Sequence, residues 1–219
     1  MARVLPLGVL ASGNGSNLQA IIDAISAGRL DAEIRVVLCN AQTARALERA
    51  RTHGLDSVIL DHREFPSREA FDARLVEILR ERGVELVVLA GFNRLLSPAF
   101  VRAFPMRIMN IHPALLPAFP GLHAQRQAVD YGVRIAGATV HFVDEKTDHG
   151  PIIIQAAVPA HPDDTEQTLQ ERILAQEHLI YPEAIRLFAE GRLRVEGRRV
   201  VTTGAQPAPN QALVNPAHR

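Results

Sequence analysis

The feature that most limits the fold of this chain is the alternation of short, continuously apolar runs with amphipathic stretches over roughly its first hundred residues. An apolar run such as Leu86 to Leu89 is typical of a strand that is buried on both faces of a parallel sheet. The stretches between these runs place apolar residues at helical spacing, as in Phe71, Leu75 and Ile78. The pattern predicts strands at 7–11, 34–39, 57–60 and 85–90, and helices at 17–27, 44–52 and 68–82.

In the second half of the chain, strands and helices no longer alternate regularly. It predicts a strand at 107–111, a strand pair at 136–143 and 152–158 around a polar loop, a long helix at 165–188 that breaks or bends near Pro182, and a hairpin at 193–195 and 199–201. We therefore expect an α/β fold, a doubly wound, mostly parallel sheet flanked by helices, with a long C-terminal helix and a small hairpin. Residues 1–203 are expected to form a single domain and residues 204–219 a flexible tail.

Composition narrows the class of protein. The 219 residues contain 24 Lys and Arg and 24 Asp and Glu, which argues against an extended surface for nucleic acid. Cys39 is the single cysteine, so the expected compartment is a reducing one. The sequence contains neither a signal peptide nor an apolar run of 18 residues, and we expect a cytoplasmic protein that does not enter a membrane.

A glycine-rich turn follows the first predicted strand. Gly13 and Gly15 allow the backbone to approach a ligand closely, and Ser16 and Asn17 offer side-chain donors where the next helix begins. Free N–H groups and the helix dipole favour an anion at this position. Because the spacing matches neither the dinucleotide fingerprint nor the P-loop, a phosphate monoester is the expected ligand, and a tight turn without a ligand is the alternative.

Asn110 and His112 lie two residues apart on a predicted extended segment, so both side chains leave the same face. A carboxamide and an imidazole side by side can stabilise an oxyanion, and a histidine ring titrates near neutral pH, which suits proton transfer. Asp148, in the polar loop between two strands, is a carboxylate that could orient His112. The alternatives are a structural histidine and a solvated aspartate.

The remaining histidines give weaker signals. His141 lies in an apolar strand and His123 in a loop, and both are expected to be structural. The sequence contains no closely spaced His or Cys pair of the kind that holds structural zinc, so we expect no metal.

Taken in order, these segments resemble the phosphoribosylglycinamide formyltransferase family of folate-dependent enzymes. The matching segments, from about Val9 to Pro182, are SGNGSNLQAI at 12–21, LAGF at 89–92, LSPAF at 96–100, NIHP at 110–113, LLP at 115–117, PGLH at 120–123, VHFV at 140–143, the DxGP segment at 148–151 and QEH at 176–178. The resemblance implies transfer of a formyl group from 10-formyltetrahydrofolate to the amine of glycinamide ribonucleotide in de novo purine biosynthesis, without a metal.

The resemblance also implies roles for individual residues. It assigns Asn110, His112 and Asp148 to catalysis, and it implies a cis bond between Leu116 and Pro117. Binding of the ribonucleotide falls to Gly15, Ser16, Asn17 and Glu177, and binding of the folate to Arg68, Asn93, Arg94, Leu95, Leu96, Val143 and Asp144, with the pterin held by the loop 143–148. Asn93 and Ala118 depart from the family pattern, where an apolar residue and a lysine are common.

Two other formyl-folate enzymes share the Asn-x-His and Asp elements. A methionyl-tRNA formyltransferase is expected to carry a further C-terminal nucleic-acid domain, and a formyltetrahydrofolate hydrolase an N-terminal regulatory domain. Here the first strand begins near Leu7, and the net charge is zero. A non-catalytic binding module would keep the glycine turn but would not need the catalytic group. The expected partners are therefore two small molecules and no nucleic acid, with monomer and homodimer both open.

Overall fold

The computed structural model of the chain describes residues 3–204 and 212–215. The strands are β1 (Leu5–Ala11), β2 (Ala32–Cys39), β3 (Ser57–Ile59), β4 (Leu86–Leu89), β5 (Ile108–His112), β6 (Ile135–Phe142), β7 (Ile152–Pro159), β8 (Leu193–Glu196) and β9 (Arg199–Thr202). The helices are α1 (Ser16–Ser26), α2 (Arg45–Thr52), α3 (Arg68–Glu81), α4 (Pro98–Ala103), α5 (Ala124–Tyr131) and α6 (Glu166–Ala189), with a short 3₁₀ helix at His62–Glu64.

The nine strands form one sheet in the order β3-β2-β1-β4-β5-β6-β7-β9-β8. The strands from β3 to β5 are parallel, whereas β6 pairs antiparallel with both β5 and β7, and β8 pairs antiparallel with β9. The predicted class is confirmed: a mostly parallel sheet with flanking helices, a long C-terminal helix and a closing hairpin. The strand order reverses between β1 and β4, and such a point is where open α/β sheets place their ligands.

Apolar clusters cover both faces of the parallel strands. One cluster joins β1 and β2 to α1 and α6, and its largest fully buried side chain is Tyr181. The other joins the opposite face to α3 and α4, where Phe71 and Phe100 are buried. Burial on both faces explains why these strands are continuously apolar in sequence. A third cluster packs β6 and β7 against α5 and α6.

The sequence did not predict helices α4 and α5 or the 3₁₀ helix. Helix α6 is continuous through Pro182, where the sequence predicted a break or a bend. Helix α4 begins with the local signals Ser97 and Pro98, the Ser97 hydroxyl accepting the Phe100 N–H at 3.3 Å. Helix α5 has no comparable start signal, since its first flanking residue is His123 at φ 58°. Burial of Pro182 and its neighbours offsets the backbone hydrogen bond that proline cannot donate.

The tail expected at 204–219 falls largely outside the described residues. Within 212–215, the Asn215 side chain donates to the carbonyls of Arg134 and Ala160, both at 2.7 Å.

In the described ranges, no helix is long and apolar enough to cross a membrane. The Leu116–Pro117 bond is cis, as the resemblance implied.

Candidate active site

The carboxyl ends of β1, β4 and β5 bring three functional segments to one edge of the sheet. The glycine-rich turn follows β1, the loop 91–97 follows β4, and Asn110 and His112 lie at the end of β5. The first two segments are bonded to each other. The Ser12 N–H donates to the Gly91 carbonyl, and the Asn93 N–H donates to the Ser12 hydroxyl, both at 3.0 Å. The site is therefore one connected structure.

Asp148 lies beside both residues of β5. One of its carboxylate oxygens is 3.4 Å from His112 Nδ1, and the other is 3.4 Å from Asn110 Nδ2. The backbone N–H of Gly121 donates to the same carboxylate at 2.7 Å, which fixes its orientation. The side chains of His112 and Asp148 are only 5% and 11% exposed. The structure thus brings together the three residues that the sequence assigned to catalysis.

The His112 ring is arranged as a hydrogen-bond donor. Its Nε2 lies 2.8 Å from the Phe119 carbonyl, which can only accept, so this nitrogen carries a proton. Its Nδ1 faces the Asp148 carboxylate, a second acceptor. Both nitrogens of the His112 ring therefore face hydrogen-bond acceptors.

His141 belongs to the same group, although sequence reasoning regarded it as structural. It lies opposite Asn110 in the β5–β6 pairing. Its Nδ1 lies 2.8 Å from the Phe142 carbonyl and donates to it, which leaves Nε2 free to accept from Asn110 Nδ2 at 3.3 Å. Burial lowers the pKa of His141, with the charge of His112 adding to the effect and Asp148 and the Phe142 carbonyl opposing it. A neutral His141 orients the Asn110 amide, and its signal in the sequence was a polar residue inside an otherwise apolar strand.

These side chains stand at a cavity of about 590 Å³. All the residues that the resemblance assigned to the folate line it, namely Arg68, Asn93, Arg94, Leu95, Leu96, Val143 and Asp144. Sequence reasoning did not assign Phe92 and Leu122, which also contribute to the walls. The cavity combines apolar walls with a few polar groups, which is the usual character of a small-molecule site.

The loop 91–97 is held at its far end by a buried carboxylate. Asp72, on α3, accepts the Ser97 N–H at 2.5 Å. Burial raises the pKa of Asp72, against the effect of the Ser97 hydrogen bonds and the charges of Arg68 and Arg94. The guanidinium of Arg94 lies 5.6 Å from the centre of the Phe71 ring. Helix α3 therefore positions the loop and the cationic part of the cavity wall.

The loop 143–148 is connected to the hairpin β8–β9. His149 Nδ1 lies 2.7 Å from the Asp144 carboxylate, and Arg198 approaches the same ring at Nε2, 3.0 Å away. Arg198 also donates to the His149 carbonyl at 2.7 Å. Burial would raise the pKa of Asp144, but hydrogen bonds from His149 and the Lys146 N–H outweigh it and hold this pKa below its usual range. Neither His149 nor Arg198 was identified from the sequence.

The glycine turn and Glu177 form a second cluster, joined to the first through Ser12. Gly15 is buried, with φ 71°, and an added Cβ would lie 2.8 Å from the Ala46 Cα, so packing as well as turn geometry requires glycine there. The Asn17 amide donates to Glu177 at 2.7 Å, so it is engaged with a carboxylate rather than free at the start of the helix. Burial raises the pKa of Glu177, and the bond from Asn17 opposes this effect.

No group of three or more His, Cys, Asp or Glu side chains is arranged to hold a metal ion within residues 3–204 and 212–215. The site consists of a donor pair, a carboxylate, a half-apolar cavity and a glycine turn at the start of a helix.

Comparison with known proteins defines the family. The chain belongs to the formyl transferase family, whose model matches residues 6–185. Its relatives include proteins named phosphoribosylglycinamide formyltransferase. The Escherichia coli (strain K12) phosphoribosylglycinamide formyltransferase is 48% identical over 187 residues, which are 85% of this chain and 88% of the relative.

One further relative has the same fold, and another is a much longer chain. A crystal structure of glycinamide ribonucleotide transformylase 1 from Symbiobacterium toebii superimposes with a TM-score of 0.90 at 57% identity, covering 91% of this chain and 94% of that one. The trifunctional purine biosynthetic protein adenosine-3 of Drosophila pseudoobscura pseudoobscura is 52% identical over 188 residues. The match covers 85% of this chain but only 14% of that longer protein.

Proposed function

We propose that this chain transfers the formyl group of 10-formyltetrahydrofolate to the amine of glycinamide ribonucleotide in de novo purine biosynthesis. The observation that carries the proposal is the grouping of Asn110, His112 and Asp148 at a cavity of about 590 Å³ next to the glycine turn. The names of the relatives point to the same reaction. Both partners are small molecules, and the cytoplasm is the proposed compartment.

The chemistry proceeds through a tetrahedral intermediate. The uncharged glycinamide nitrogen attacks the formyl carbon, and the carbonyl oxygen becomes an oxyanion that accepts hydrogen bonds from Asn110 and the protonated His112. The bond between the formyl carbon and the folate nitrogen then breaks, and the proton lost by the amine reaches that nitrogen. Asp148 stabilises the His112 imidazolium and helps to relay the proton through water.

The contacts of Asn110 leave its amide available for substrate. Asn110 Nδ2 lies 3.3 Å from His141 and 3.4 Å from Asp148, longer than a strong hydrogen bond. Catalytic hydrogen bonds are often long before substrate binds and shorten in the complex. We propose that the folate binds in the cavity lined by Arg68, Arg94 and the loop 143–148, and that the ribonucleotide binds at the turn and Glu177.

The test is an absorbance assay of folate conversion with and without glycinamide ribonucleotide, and mass spectrometry of the product. We expect conversion only in its presence, with formylglycinamide ribonucleotide as product. Equal conversion without the ribonucleotide would identify a formyltetrahydrofolate hydrolase instead. Activity that requires an aminoacylated tRNA would identify a methionyl-tRNA formyltransferase.

A further inference from the structure

Arg49 on α2 is bonded directly to the glycine turn. Its Nε donates to the Asn14 carbonyl at 2.9 Å, and one terminal nitrogen donates to the Asn14 side-chain oxygen at 3.1 Å. The other terminal nitrogen donates to Gln19 on α1 at 3.1 Å. The planar guanidinium therefore holds Asn14 by two hydrogen bonds and α1 by a third, an arrangement that lysine cannot reproduce.

Helix α2 determines the shape of the turn through several contacts. The Ala46 N–H donates to the Gly13 carbonyl at 3.2 Å, one residue before the atoms that Arg49 holds. The backbone of Ala46 also packs against Gly15. Three consecutive residues of the turn, Gly13 to Gly15, thus depend on α2, and Arg49 is the charged member of this contact.

The charge of Arg49 suits the chemistry of the proposed ligand. A phosphate monoester carries about two negative charges near neutral pH. The N-terminus of α1 supplies only about half a positive charge through its dipole. The neighbouring His178 on α6 does not add a second charge, because burial lowers its pKa and the Arg49 charge lowers it further. Arg49 brings a permanent positive charge to the turn, in a chain whose net charge is zero.

We propose that Arg49 is a positioning residue that gives this site its specificity for a phosphorylated substrate. It fixes Asn14, and with it the backbone of the turn, and it places a guanidinium charge directly behind the phosphate position. The inference rests on the proposed function, since it assigns to the turn the phosphate of the substrate ribonucleotide. Arg49 does not contact the reacting atoms, so its loss affects binding of the phosphate and not the transfer step.

The experiment compares Arg49→Gln, which removes the charge, with Arg49→Lys. The lysine keeps the charge but cannot make both hydrogen bonds to Asn14. The matched control is Arg51→Gln, an exposed arginine on the same helix. Each protein is assayed with glycinamide ribonucleotide and with the phosphate-free nucleoside. For R49Q we expect the KM for the ribonucleotide to rise about tenfold, the size of one charged hydrogen bond, with kcat and the KM for folate unchanged. For R49K we expect a smaller rise, and for R51Q none.

The phosphate-free nucleoside separates this role from a purely structural one. We expect R49Q to leave kcat/KM for the nucleoside unchanged, so the preference for the phosphorylated substrate shrinks. An equal loss on both substrates would overturn the inference while leaving the proposed reaction intact.

A second measurement does not depend on turnover. Inorganic phosphate is titrated while the backbone amide signals of Gly13 and Ser16 are followed by NMR. We expect the wild type and R51Q to bind phosphate at the turn and R49Q to bind it about tenfold more weakly. Equal affinities in R49Q and wild type would overturn the inference even in a preparation that transfers no formyl group.

Discussion

At the scale of single residues, Asn110 offers the most direct test of oxyanion stabilisation. Its amide nitrogen faces His141 and Asp148 on the wall of the cavity. We expect Asn110→Ala to lower kcat by about 10²–10³, the usual cost of losing one oxyanion donor. The side chain is only half-buried, so the midpoint of thermal unfolding should change little. If the variant turned over at nearly the wild-type rate, Asn110 would not stabilise the oxyanion and would have only a structural role in the loop.

The two glycines of the turn should respond differently to the same substitution. At Gly15, a methyl group combines a left-handed φ with a 2.8 Å approach to Ala46, and we expect Gly15→Ala to destabilise the fold by about 1–3 kcal/mol. At Gly13, a Cβ meets no described atom within 4 Å. We expect Gly13→Ala to keep the stability and to raise the KM for the ribonucleotide, because the methyl group crowds the phosphate position. Thermal unfolding measures the effect on stability, and steady-state kinetics measures the effect on KM. If G13A changed the KM values of both substrates equally, the proposal that the phosphate binds at this turn would be wrong.

At the scale of secondary structure elements, the hairpin β8–β9 restrains the loop 143–148 through Arg198 and His149. The ring of His149 lies between the Arg198 guanidinium, which can only donate, and the Asp144 carboxylate, 2.7 Å from Nδ1. The residue immediately before His149 is Asp148, whose φ of 47° is unusual for a residue other than glycine. The hairpin thus supports both the proposed pterin loop and Asp148, the proposed catalytic carboxylate at its end.

Removing this restraint should weaken binding of the folate and not binding of the ribonucleotide. We expect Arg198→Ala to raise the KM for the folate about two- to tenfold, since one intramolecular hydrogen bond contributes about 0.5–1.5 kcal/mol. The KM for the ribonucleotide should stay constant. Arg194→Ala is the matched control, because Arg194 lies on the same hairpin and pairs with Glu196. A folate KM that is the same in both variants would mean that the hairpin does not restrain the loop.

At the scale of the whole molecule, the buried carboxylates couple stability to pH. Burial raises the pKa of Glu177 above its ordinary value, so the folded state holds this proton more tightly than the unfolded state does. The stability from this proton is fully present below the unfolded pKa of about 4.3 and is lost as the pH rises through the raised pKa of the folded state. The raised pKa of Asp72 acts in the same direction.

Glu177→Gln should therefore be more stable than the wild type at pH 8 and should lose less stability between pH 5 and pH 8. The glutamine can still accept from Asn17, so packing is retained. We expect the same variant to bind the ribonucleotide more weakly, because the proposed ribose contact loses its charge. Thermal unfolding across this pH range is the measurement, with the exposed Glu171→Gln on the same helix as control. If the unfolding temperatures of E177Q and wild type changed in parallel with pH, the raised pKa of Glu177 would be contradicted.

The sequence by itself determined the features that depend on neighbours along the chain. Continuous apolar runs specified strands buried on both faces, and apolar residues at helical spacing specified helices such as α3 and α6. The two-residue spacing of Asn110 and His112 placed both on one side of a strand. These features follow from local backbone geometry and from the periodicity of side chains, which the order of residues states directly.

Only the tertiary structure decided which distant segments meet. The antiparallel pairing of β5 and β6 sets His141 opposite Asn110, and the following loop returns Asp148 to His112. Packing of α2 against the turn brings Arg49 to Asn14 and makes glycine necessary at position 15. The order of the strands and the packing of helices on the sheet fix these contacts, and neither is encoded in the spacing of residues within any one segment.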